Sequence, residues 1–222
     1  MANPAQLLLD QFNQWNDGKN SAYSQRKDDR LVAHMRAALL IEQIEELLDR
    51  LDSTGGHTEV YRRYLPAWRR ILFSYPNGWT GNGTASIDQT ARDHLSTLSF
   101  MLRDVVATPD ADRLGELADY LDIIFNNLTE DPTLSKSVKD ATATVITHLR
   151  GCIDDVQVLG DFEFEKAFER LIGALALVTL KSNQKERWTE VVKNLVYPYF
   201  VNNIPSLDAA GHTFQALLMP DS

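Results

Sequence analysis

Four arginines and two tryptophans fall between positions 62 and 79: Arg62, Arg63, Arg69 and Arg70, with Trp68 and Trp79. Arg62 and Arg69 are seven apart, as are Arg63 and Arg70, so successive turns of a helix would group the guanidinium heads. A guanidinium makes forked hydrogen bonds to carboxylate or phosphate, and an indole offers a large rigid contact. Together they suit a protein interface, a phosphate-binding pocket or a stacking platform. A second set is acidic. Glu42, Glu45, Glu46 and Asp49 stand at i, i+3, i+4 and i+7, a ladder of carboxylates along one helix face. Carboxylates one turn apart on paired helices can hold a divalent cation. The same ladder also reads as a solvated face, or as the partner of the arginines on the next helix.

A third stretch carries a family pattern. Residues 115–128, GELADYLDIIFNNL, place Glu116 and Asp119 in an ExxD spacing. The run resembles the second metal-binding helix of the all-α nucleoside triphosphate pyrophosphatases of the MazG type. The resemblance implies that Glu116 and Asp119, with Asp122 nearby, bind magnesium and act on nucleotide phosphates through a water nucleophile. That family also uses a paired ExxE on the preceding helix, where this chain offers only Asp104. Glu42 and Glu45 have the spacing, but they stand far upstream of Glu116.

Other chemistry has no sequence candidate. His34, His57, His94, His148 and His212 form no HExxH and no Cys/His metal spacing, and Cys152 is the sole cysteine. There is no GxSxG elbow and no glycine loop ending in Lys-Ser/Thr. The glycines at 78, 81 and 83 lack both a strand before them and a lysine after.

Charge is unevenly spread. Of 22 Lys/Arg and 31 Asp/Glu in 222 residues, positions 1–83 hold ten of each, so the whole net charge of −9 lies in positions 84–222. Such a surface repels phosphate backbones, which disfavours nucleic acid and favours a protein partner with a basic surface. Leu7-Leu8-Leu9 has no basic residue before it and Asp10 after it, unlike a secretory leader. The longest apolar run, Leu171 to Leu180, falls short of the ~20 residues that cross a bilayer. A lone cysteine gives no internal disulfide. A cytoplasmic protein with no membrane partner is expected.

These residues must be positioned by helices, because apolar side chains recur every three or four positions and nowhere alternate in twos. Asn3-Pro4 reads as a cap and first position, with Gln6 able to close a capping box and Leu8, Phe12 and Trp15 buried. Asp28 or Asp29 opens a helix to Asp52 with Val32, Met35, Leu40, Ile44, Leu47, Leu48 and Leu51 inward. Thr58 caps the arginine helix, whose stripe is Tyr61, Tyr64, Leu65, Trp68, Leu72 and Tyr75. Pro66 should kink or split it. Ser86, Thr108 and Asp131 read as further caps, the last two each followed by proline. Inward faces follow: Leu95 and Leu98; Leu117, Leu121, Ile124, Phe125 and Leu128; Val138, Ala141, Val145, Leu149, Cys152 and Val156; Phe164, Phe168, Leu171 and Leu175; then Trp188, Val191 and Leu195.

Short connections make neighbouring helices antiparallel. A shift of 51 residues lays Leu117, Leu121 and Ile124 on Phe168, Ile172 and Leu175, as a repeated helical hairpin would. The expected fold is therefore all-α: seven or eight helices in one domain, a bundle or a short HEAT-like stack of hairpins. Its sub-divisions would be residues 1–83, an acidic array at 84–205 and a tail at 206–222.

The function expected is a non-catalytic adaptor, regulator or inhibitor that binds another protein, or a second copy of itself, without a cofactor. The alternatives are the magnesium-dependent hydrolase, with Glu42, Glu45, Glu116 and Asp119 as ligands, and a sensor whose arginines hold a phosphorylated ligand.

Overall fold

Nine α-helices make up most of the described backbone in a computed structural model that describes residues 2–16, 18–19, 21, 24–25, 27, 30–74, 87–196 and 199. They are α1 (Pro4–Trp15), α2 (Leu31–Ser53), α3 (Glu59–Ser74), α4 (Gln89–Met101), α5 (Leu114–Glu130), α6 (Lys136–Asp154), the single turn α7 (Val156–Leu159), α8 (Asp161–Lys181) and α9 (Lys185–Val196). Among the described residues there is no strand. The chain divides into two compact units, one from Ala2 to Val105 and the other from Val106 onward.

In the first unit, α1, α2, α3 and α4 close into an antiparallel four-helix ring. Asn3 Nδ2 donates 2.7 Å to the Ser99 carbonyl, and Asn16 Oδ1 accepts 2.7 Å from the Ile87 backbone, so the two ends of α1 meet opposite ends of α4. The Trp15 ring stacks on His34 at 4.1 Å and ties α1 to α2. Trp68 Nε1 donates 2.9 Å to the Ala91 carbonyl, and Tyr64 lies 3.9 Å from the His94 ring, joining α3 to α4. Leu8, Phe12, Ile44, Leu47, Leu48, Trp68, Leu72, Leu95 and Leu98 fill the middle. The second unit repeats the arrangement with α5, α6, α8 and α9. Its core is Leu117, Leu121, Ile124, Leu149, Phe164, Phe168, Leu171, Leu175 and Trp188. Tyr120 donates 2.9 Å to the Val191 carbonyl, and Arg187 reaches back to Asn127, so α9 runs antiparallel to α5 and closes the ring. The 51-residue offset carries α5 onto α8, but the hairpins α5–α6 and α8–α9 face each other across one core.

Several local expectations change. Asn3 caps α1 through Gln6 N at 3.2 Å, but the Gln6 amide donates to Asp10 instead of closing a box. Val32 and Met35 face outward, because the buried register of α2 is His34, Ala37, Leu40, Ile41 and Ile44. Pro66 sits inside an unbroken α3, on its exposed side. Ser86 lies outside the described residues, and the α4 cap is Asp88, whose carboxylate accepts from Thr90 N and Ala91 N. After Pro109 the chain makes a 3-10 turn capped by Asp110 before α5 begins. Phe125 turns outward on α5, and on α6 Thr142 and Ile146 join Leu149 and Cys152 inward, while Val138 and Val145 are half-buried and Ala141 is exposed. α6 ends at Asp154, so Val156, expected on its inward face, falls in the separate turn α7. Asp131 opens no helix: α6 is capped by Ser135 Oγ, and Asp131 is the buried C-cap of α5, its backbone N–H donating to the Asn127 carbonyl.

Candidate functional site

The arginine helix is split between core and surface. Trp68 is fully buried, its ring in the first core and its N–H satisfied by Ala91, so it cannot touch a partner. Trp79 lies outside the described residues. Arg62 turns toward α2, donating 2.6 Å to Asp49 and 2.5 Å to Asp52, and Arg69 donates 2.5 Å to Glu45. The acidic ladder therefore meets the arginines of the neighbouring helix. Asp49 and Asp52 hold the Arg62 guanidinium above its ordinary pKa, and Thr58 and Arg62 hold the Asp52 carboxyl below its own. Arg63 and Arg70 remain exposed on α3, with Phe73 55 % exposed one turn on.

The carboxylates of the magnesium reading are on the surface. Glu42 is exposed on α2; Glu116 and Asp119 are exposed on α5, Glu116 accepting 3.1 Å from Arg113. Among the described residues no three His, Cys, Asp or Glu side chains come together as a metal site.

Three polar groupings escaped the sequence reading. Asp131 is fully buried and accepts four hydrogen bonds: from Ser182 Oγ at 2.5 Å, Thr133 Oγ1 at 2.6 Å, Thr133 N at 2.9 Å and Trp188 Nε1 at 2.9 Å. Burial pushes its pKa up, but those donors outweigh burial and hold it well below the usual carboxylate range. This hub ties the α5–α6 loop to the α8–α9 loop. A second grouping lies at the start of α8, where Glu165 accepts 2.7 Å from Ala107 N and Asp161, one turn away, bonds Thr108. Asp161 is pushed up to about 6, first by burial and further by the Glu165 charge, against the Thr108 bond.

In the third grouping, His148 Nε2 lies 3.9 Å from both Cys152 Sγ and Glu163 Oε1. Thiol and carboxylate share one ring nitrogen, whereas an activated nucleophile needs its base oriented through the other. Burial and then Glu163 push the thiol up to about 11, so it stays protonated. The i, i+4 spacing of His148 and Cys152 is the sequence signal for this cluster.

The outer side of α5 is acidic. Asp112, Glu116, Asp119, Ile123, Asn126 and Glu130 follow at steps of four, three, four, three and four, all exposed, with Asp122 beside them. Arg113, Arg150 and Arg187 pair with Glu116, Asp122 and Glu130 at its flanks. Positions 106–222 carry 10 Lys/Arg against 18 Asp/Glu, a net of −8.

Fold and surface together define an all-α protein built as two four-helix units, with acidic side chains exposed along α5. No family model, curated protein or solved structure matches the chain. No helix among the described residues is long and apolar enough to cross a membrane.

Proposed function

We propose that the protein is a non-catalytic interaction module, an adaptor, regulator or inhibitor, that recognises a basic surface on another protein. The observation that supports this is the α5 ridge, where Glu116, Asp119, Asp122 and Glu130 are exposed along the helix that presents Ile123, itself 51 % exposed, with three of the four carboxylates paired to arginines at the flanks. A central apolar contact flanked by charge is the composition of a recognition patch, and the net negative charge of this half of the sequence speeds encounter with a basic partner. Arg63, Arg70 and Phe73 on α3 are a smaller surface of opposite sign.

The test is affinity capture with the intact chain and with Glu116→Lys/Asp119→Lys. Both positions are exposed, so the variant should keep its helical circular dichroism. A partner recovered by the native chain, released by salt and lost with the variant supports the reading; equal recovery by both counts against it. Magnesium-dependent turnover of a nucleotide panel, abolished by Glu116→Ala, would replace it with the hydrolase.

A further inference from the structure

Two carboxylates stand inside the second unit at the start of α8. Asp161 is 3 % exposed, and Glu165, one turn on, is fully buried. Gly160, at a φ of 85°, turns the chain sharply out of α7, and the first residue of α8 is enclosed where a first-turn aspartate would ordinarily meet water. The pair holds two successive residues of the segment before α5. Glu165 Oε2 accepts 2.7 Å from Ala107 N, and Asp161 bonds the Thr108 side chain. Asp161 Oδ1 stays buried with no hydrogen-bond partner. Residues 106–110 contain no helix, so this stretch has no helical ladder of its own to keep it in place.

We propose that residues 106–108 form a pH-sensitive clasp on the start of α8, closed while the Asp161 and Glu165 pair keeps a proton and loosened when both carboxylates are charged. Four influences act on Asp161. Burial opposes its ionisation most strongly, the amino terminus and the Thr108 bond favour it, and the Glu165 charge opposes it. The balance holds the proton up to about pH 6. Above that, an ionised Asp161 with an unsatisfied oxygen is stabilised by reaching water. Lifting the segment achieves this by breaking two bonds to side chains, whereas unfolding α8 would dismantle the second core. Lifting also uncovers Val106 and Ala107, both fully buried, so the open form stays in the minority. Closed, the Asp161 pKa is about 6; open and hydrated, it returns toward 3.8, so opening is favoured as pH rises between those values. From pH 5 to pH 7 the open fraction should grow about tenfold.

Amide hydrogen exchange of the full chain, followed by NMR, reads the clasp at Ala107 N–H. Relative to an unstructured chain at the same pH, its exchange should quicken about tenfold from pH 5 to pH 7. It should also respond little to urea below the unfolding transition, as a local opening does. The Leu171 amide, in the middle of α8, should exchange more slowly and should accelerate with urea, because it opens only with the core. Asp161→Asn should leave Ala107 protection the same at both pH values. Constant Ala107 protection in the native chain across that range overturns the proposal. So does a urea response equal to that of Leu171, which would make the segment part of the core. A pH dependence that persists in Asp161→Asn would overturn it too, by assigning the effect to another group. The first two measurements need no variant and decide the matter where Asp161→Asn fails to fold.

Discussion

The indole N–H of Trp188 donates 2.9 Å to the carboxylate of Asp131, and both side chains are fully buried. The bond fastens α9 to the end of α5 at the point where the two loops of the second unit meet. Asp131→Ala leaves four donors without an acceptor, and each buried donor so stranded costs about 1–3 kcal/mol before any local repair. A net loss of about 3–5 kcal/mol is expected in urea denaturation followed by circular dichroism. Ser182→Ala, which removes one donor, should cost about 1 kcal/mol. Equal midpoints for native chain and Asp131→Ala would show that the hub contributes nothing.

Asp131 and Asp161 should impose opposite pH dependences. The folded pKa of Asp131 is depressed, so its stabilisation is complete above the unfolded value of 3.8 and is lost as pH falls below it. The folded pKa of Asp161 is raised to about 6, so the folded state holds that proton longer than the unfolded chain. Its effect is absent below 3.8 and grows as a destabilisation while pH rises toward 6. Asp161 Oδ1 is buried without a hydrogen-bond partner, which is why ionising it is unfavourable. Asp161→Asn should therefore raise the melting temperature at pH 7 and leave it nearly unchanged at pH 4. A variant less stable at pH 7 than at pH 4, each relative to native, would reverse the sign and refute the account.

Helix type and order were readable because apolar periodicity and proline or glycine stops act locally. Phe12, Ile44, Trp68, Phe168 and Trp188 are all buried as their spacing requires. What could not be read depends on the third helix against which a face packs. Val32 and Met35 continue the apolar pattern of α2 yet face outward, since the core takes Ala37 and Ile41 instead. Asp131 followed by proline looks like a helix start, but its carboxylate is claimed by Ser182 and Trp188, 51 and 57 residues away in sequence. The arginines and the acidic ladder were both visible, and their union through Arg62 and Arg69 required only that α2 and α3 be neighbours.

Trp68 and Arg69 are adjacent in sequence and should behave in opposite ways. Trp68 is enclosed by the first unit, so Trp68→Ala opens a large cavity and frees the Ala91 carbonyl, a loss of about 3–5 kcal/mol. Arg69 pairs with Glu45 in the open, where water screens the attraction, and Arg69→Ala should cost no more than about 0.5 kcal/mol. Thermal melts of the two variants at low and high salt check both points. Only the small Arg69 effect should fade with salt.

Cys152 should be chemically silent until the second unit unfolds. The thiol is 1 % exposed and sits in the core with Leu149, Val156 and Phe168. Burial first, then the Glu163 and Asp155 carboxylates, push its pKa from 9.0 to about 11, against the opposing charge of Arg170. Two pH units of elevation leave about a hundredth of the thiolate an ordinary cysteine would have at pH 8, and only the thiolate attacks a disulfide reagent. Labelling with an aromatic disulfide at pH 8 should thus be at least about a hundredfold slower than for a free thiol, and should become rapid and stoichiometric in urea. Because exchange then requires opening of the helices around α6, the labelling rate should track unfolding, and Asp131→Ala should accelerate it. Native labelling at the rate of a free thiol would mean that α6 and α8 do not enclose the sulfur as described.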